Sequence, residues 1–112
     1  MAAGKYNISI EQGSTWELRL EVDVTAGVNK DLSGYTLASK IGKSFYDTAA
    51  VSMTTAFVQA SQGIFTIGLS AAQTAALDAA HEYVYDVEIT SSSGVVTRML
   101  QGRATISPGI TS

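Results

Sequence analysis

The chain has 112 residues, seven Lys plus Arg against ten Asp plus Glu for a net charge of −3, no cysteine and one histidine, His81. That length suits one small domain over residues 1–112, excludes disulfide and thiolate chemistry, and rules out a metal site built on two or more histidines. Hydrophobic residues at 46% exclude a disordered chain, while charged residues at 15% fall short of the roughly 25% of average soluble proteins.

In chain order, the first strand signal places Tyr6, Ile8 and Ile10 on one face, with Asn7, Ser9 and Glu11 on the other. Gln12-Gly13-Ser14 follows, a turn or a bulge where the chain crosses between sheets. Trp16, Leu18, Leu20, Val22 and Val24 then alternate with Glu17, Arg19, Glu21 and Asp23, the pattern of a half-buried strand. Trp16 is the expected core anchor, with an indole N–H that wants a partner. A polar loop runs over 25–34. The third strand covers 35–43 with Tyr35, Leu37 and Ile41 inward, and a loop over 43–50 carries Phe45 and Tyr46.

A weaker strand spans 51–58, Ser61-Gln62-Gly63 is a turn, and Phe65, Ile67 and Leu69 line the next strand. Ser70 and Gln73 form a capping box for a helix over 71–80. At about ten residues such a helix cannot stand alone in water. Leu77, with Thr74, is the expected dock. Tyr83, Tyr85, Val87 and Ile89 line the sixth strand, and Ser91-Ser92-Ser93-Gly94 is a hairpin loop. The last strand runs over 95–106 until Pro108-Gly109 stops it. Gly102 in its middle marks a bulge or a close backbone approach. Both chain ends, 1–5 and 109–112, are expected to be loose. The sum is an all-β, antiparallel, immunoglobulin-like sandwich of about seven strands, with one short helix between the fifth and sixth.

Charge and patterning also bear on partners. The basic residues are scattered, so the phosphate-neutralising cluster of a nucleic-acid binder is missing. No apolar run follows Lys5, which predicts no signal peptide. From Thr48 to Leu77 there are no charged residues, but eleven Ser, Thr and Gln make a membrane span untenable. Two readings of that stretch stand: strands and a helix with uncharged outer faces, or surface covered by neighbouring subunits.

Sites of chemistry are not legible. Asp78 and His81 supply two metal ligands at most, and with Glu82 they read as a solvated helix end. Gly42-Lys43-Ser44 has Leu37 where a phosphate-binding loop needs its first glycine. No Gly-x-Ser-x-Gly elbow is present. No catalytic, cofactor or metal residue is therefore assigned, and no enzyme is expected. The remaining candidates are interface residues: Lys43, Phe45 and Tyr46 in the loop, and Thr54 and Phe57 in the charge-free stretch. Loop aromatics anchor interfaces or fold back over a core end, and unpaired sheet edges invite strand addition.

Three segments together carry a resemblance. They are Gly4-Lys5-Tyr6-Asn7-Ile8-Ser9-Ile10-Glu11-Gln12-Gly13-Ser14-Thr15-Trp16, Asp31-Leu32-Ser33-Gly34-Tyr35-Thr36, and the run from Leu69 through Leu77 and Tyr83–Ile89 into Val96–Gly102. Their order resembles small virion proteins of tailed bacteriophages, and is similar to the N-terminal attachment domain of phage baseplate upper proteins. The resemblance implies an immunoglobulin-like sandwich used in virion assembly, in several copies, against tail, baseplate, neck or capsid proteins, without nucleic acid or membrane. It implies location in the particle after assembly in the host cytoplasm, and no catalytic residues. Baseplate upper proteins continue into a trimeric shaft, whereas this sequence runs to Ser112; the expectation is a free-standing adaptor, or a capsid decoration protein on the head. A reading of another class is a carbohydrate- or receptor-binding module using Phe45, Tyr46 or Tyr83 as stacking platforms.

Overall fold

A computed structural model describes residues 4–25 and 28–109. The strands are β1 (Gly4–Lys5), β2 (Ile8–Glu11), β3 (Trp16–Glu21), β4 (Asp23–Thr25), β5 (Val28–Asn29), β6 (Thr36–Gly42), β7 (Val51–Ser52), β8 (Thr54–Gln59) and β9 (Ile64–Leu69). Helix α1 (Ala71–Ala75) precedes β10 (Glu82–Thr90) and β11 (Val96–Ser107). The larger sheet runs β1-β11-β10-β6-β7 with β2 also on β11, the smaller runs β3-β9-β8, and β4 and β5 form a separate hairpin. Counting β1 and β2 as one interrupted strand gives about eight strands in two sheets with one short helix.

The period-two pattern buries Ile8 and Ile10 as expected, but Tyr6, expected on the same face, is half exposed. In β10, Tyr83, Tyr85, Val87 and Ile89 are buried, facing Phe65, Ile67 and Leu69 of β9 across a single apolar cluster that also holds Ile8, Ile10 and Ile41. Burying each such side chain is worth about 1.5–3 kcal/mol. Tyr85 carries the polar end of its ring to the Tyr6 carbonyl, and burial pushes its phenol up to about 12. Gly102 lies opposite Tyr85, and a Cβ there would run into that same Tyr6 carbonyl. The expected close backbone approach at mid-strand is thus present, and it lets β1 and β2 lie against β11.

Several expectations are corrected. The sandwich is not wholly antiparallel, because β1 and β2 run parallel to β11. The chain leaves β2 for the other sheet at Gln12-Gly13-Ser14, so β2 makes no hairpin within its own sheet and instead fills the place beside the last strand. The single strand expected over 51–58 is two: β7 pairs with β6 and β8 with β9, with the buried Met53 at the crossing. Met53 donates its N–H to the Ser39 carbonyl at 2.8 Å. Trp16 is only partly buried, at the end of β3; the fully buried anchors are Tyr85, Phe65, Ile10 and Leu32. The polar loop over 25–34 includes the second arm of the β4–β5 hairpin. Expected looseness at 1–3 and 110–112, the glycine at 27 and the side chain at 24 lie outside the described residues.

The helix is shorter than expected and capped as expected. Ser70 Oγ accepts from Gln73 N at 3.2 Å, and Gln73 Oε1 accepts from Ser70 N at 2.9 Å. It stops at Ala75 because Leu77 N turns to the Thr74 carbonyl at 3.1 Å, a tighter turn, and Asp78 Oδ1 accepts from Ala80 N at 2.9 Å. Thr74 and Leu77 are the buried dock. Thr74 Oγ1 accepts from Gly13 N at 3.0 Å and donates to Ser14 O at 2.8 Å, while Gln12 Nε2 donates to Leu77 O at 2.8 Å. The helix thereby seals the crossing between β2 and β3. Asp31-Leu32-Ser33-Gly34 launches β6, with Gly34 at φ 82° and Ser33 N donating to Asp31 Oδ1 at 2.9 Å.

Candidate functional site

The loop over 43–50 is built around Asp47. Its Oδ2 accepts from Lys43 N at 2.9 Å and its Oδ1 from Ala49 N at 2.8 Å. Those two N–H groups, Lys43 first, hold the carboxyl below its ordinary 3.8, with the Lys43 charge adding a smaller push. Gly42 sits against this loop, where a Cβ would come within 3.1 Å of Asp47 and Ala50. A loop tied in this way presents its aromatics outward: Phe45 is 55% exposed and Tyr46 94% exposed. Of the two readings open for these side chains, interface anchor or cover for the core end, Tyr46 covers nothing.

Phe45 leans toward the outer face of the larger sheet. There it borders a groove of about 380 Å³ lined also by Lys5, Asn7, Val84, Gln101, Gly102 and Arg103, and a second of about 290 Å³ that includes Lys40 and Asp86. Strand register explains the lining. Lys40, Asp86, Gln101 and Lys5 lie in one row across β6, β10, β11 and β1, and Val84 and Arg103 lie in the next. Arg98 pairs with the half-buried Asp86 at 3.6 Å, and Arg103 pairs with Glu82 at 3.0 Å on exposed surface, where such a pair contributes about 0–1 kcal/mol. Four basic residues that look scattered in the sequence thus share one face, interleaved with Glu82, Asp86 and Glu88.

Thr54 and Phe57 lie elsewhere, on β8 at the open edge of the smaller sheet. Phe57 is opposite Phe65 in the inward row and Thr54 opposite Gly68 in the outward row. Gly68 is needed there, because a Cβ would come within 2.8 Å of the Trp16 carbonyl. The five candidate residues therefore form two places, the loop and the β8 edge, joined through β7 and Met53. Sequence reasoning missed Val51, Val58, Val95 and Val96, all exposed. The absence of charge over 48–77 signals the first two; nothing in the local pattern signals the hairpin pair at 95–96.

The acid–base candidates Asp78, His81 and Glu82 line neither of the grooves beside Phe45. His81 is exposed and meets the Tyr83 ring edge-on at 6.4 Å. Tyr83 is buried, with its hydroxyl accepting from Asp78 N at 2.8 Å, so it offers no stacking platform. Among the described residues no three His, Cys, Asp or Glu side chains converge as a metal site, and no helix is long and apolar enough to cross a membrane. Comparison with known proteins identifies no family: no family model matches the chain, and no curated protein matches it.

Proposed function

We propose that this protein is a structural component of a tailed-bacteriophage particle, a non-enzymatic adaptor of immunoglobulin-like type that docks in several copies on the tail, baseplate or neck. The observation that carries the reading is the order of the three resembling segments along nearly the whole chain. Their residues have structural work in the fold: Gly34 turns into β6, Gly102 admits β1 and β2, and Ser70 with Gln73 caps α1. Docking fits a molecule whose exposed loop aromatics and uncharged edge offer contact surface. Many copies on a repeating lattice turn modest single affinities into firm attachment. Its partners are other virion proteins, with the capsid surface as the alternative lattice, and its place is the particle, after assembly in the host cytoplasm. Mass spectrometry and cryo-electron microscopy of purified particles test this: the protein is expected at fixed stoichiometry on the tail, and its absence from the particle ends the reading.

One observation favours a second reading. The groove beside Phe45 combines an exposed ring with the amides of Asn7 and Gln101 and the charges of Lys5 and Arg103, an apolar platform flanked by hydrogen-bonding groups of the kind that sugars require. Titration with glycans followed by NMR separates the two. Shifts confined to Phe45, Asn7 and Gln101 support a carbohydrate module, and an unchanged spectrum removes it.

A further inference from the structure

We propose that β8 pairs antiparallel with β8 of a second copy of this chain about a two-fold axis at Ala56, joining two three-stranded sheets into one of six strands. The inference goes beyond the particle reading and does not depend on it. Ala56 faces Thr66, whose hydroxyl donates to the Ala56 carbonyl at 3.5 Å, so Ala56 turns its main chain toward β9. By the alternation of an antiparallel ladder, the N–H and C=O groups of Thr55 and Phe57 then point to the open edge.

Sheet edges are ordinarily blunted by charge, proline or brevity. The other edges of the two larger sheets follow that rule: β1 and β7 have two residues, β2 has four and ends on Glu11, and β3 carries Glu17, Arg19 and Glu21. β8 has six residues with neither charge nor proline, and its one bulge, at Val58, leaves Thr54 to Phe57 regular. Phe57 and Val58 are exposed along it.

The occupant is a second copy because the strand is its own complement. A chain of net charge −3 repels a copy of itself through its charged faces, and β8 brings none to the seam. Centred on Ala56, the two-fold sets Thr55 of one copy across from Phe57 of the other. Small meets large at the two Thr55–Phe57 pairs, and the outward main-chain groups of both copies are satisfied. Ala56 meets Ala56 as a non-hydrogen-bonded pair with Cα atoms about 4.5 Å apart, a separation at which two cysteines can be bridged.

Sedimentation equilibrium and hydrogen exchange test this on the full chain. The expected result is a concentration-dependent dimer in which the Thr55 and Phe57 amides gain protection as the dimer forms. Ala56→Glu, at an exposed position, sets two carboxylates face to face and is expected to give a monomer whose melting curve matches that of the dilute, monomeric wild type. Should that variant fold poorly, Ala56→Cys decides. In a chain without cysteine it is expected to oxidise to a covalent dimer, while Ser93→Cys on the exposed β10–β11 hairpin stays monomeric at the same concentration. A monomer at every concentration, a dimer untouched by Ala56→Glu, or equal oxidation of the two cysteine variants overturns the proposal. So does amide protection that arises only on assembled particles, which would assign the edge to another protein.

Discussion

β3 and β8 are both six residues long, both pair antiparallel with β9, and both are edges of the same sheet, yet they are buried differently. In β3, Trp16, Leu18 and Leu20 are half-covered while Glu17, Arg19 and Glu21 stand in solvent. In β8 only Thr55 is half-covered, and Phe57 and Val58 are open. The backbone environment is the same, so the difference comes from what lies over each strand. The facing sheet narrows to the two-residue β7 on the β8 side, leaving that edge overhanging. Strand alternation thus reports an opposing layer and not merely membership in a sheet.

Four measurements test this contrast. The largest effect is expected for Phe65→Ala in the strand that carries both edges: about 3–5 kcal/mol lost in chemical denaturation, where near-native stability would mean that the edges hold without their shared centre. Gly63→Ala strikes the turn that leads from β8 into β9, where the backbone of Val22 and Lys30 also packs. Gly63 has φ 72°, and a Cβ would stand 2.6 Å from the Lys30 carbonyl and 2.7 Å from that of Val22. A cost of about 1–3 kcal/mol is expected from the backbone conformation alone, and thermal melts would show it.

The direct comparison of the edges is Leu18→Ala against Phe57→Ala, measured on dilute monomer. Half-buried Leu18 is expected to cost about 1–2 kcal/mol and the more open Phe57 about 1 kcal/mol or less; the reverse order would overturn the account of the overhang. The smallest effect is local. Asp47 is held below 3.8 by hydrogen bonds to its ionised form, so the loop it ties is stable above that value and loosens as pH falls through its lowered one. In an NMR titration the Lys43 and Ala49 amides are expected to move only below the ordinary carboxylate range, with β7 following and β3 unmoved.

The sequence is most legible where the physics is local. Ser70 and Gln73 announce the capping box, Gly34 its turn, and the alternation of β10 its inner face, because each signal needs only neighbours a few residues away. Gly102 was legible as a close approach, but its partner, Tyr6, was not, since the contact spans nearly the whole chain. The parallel seating of β1 and β2 and the crossing at Met53 were hidden for the same reason. Trp16 misled by size: a large ring suggests a core centre, but its place at the start of β3 puts it at the end of the sandwich. Phe45 and Tyr46 are legible as loop aromatics, but the choice between an exposed anchor and a cover for the core end needs the tied loop around Asp47, and the charged face beside them comes only from the register of four strands.

The parallel seating of β1 and β2 on β11 has a mechanical consequence. Gly4 pairs with Leu100 and Glu11 with Ser107, so β1 and β2 run alongside the second half of the long last strand, from near its middle to its end. Tension between Gly4 and Ser107 runs along strands lying side by side in the same direction. It pulls their ladder in shear, and the hydrogen bonds between them share the load and must yield together. A module threaded in this way transmits force along its length before it unravels.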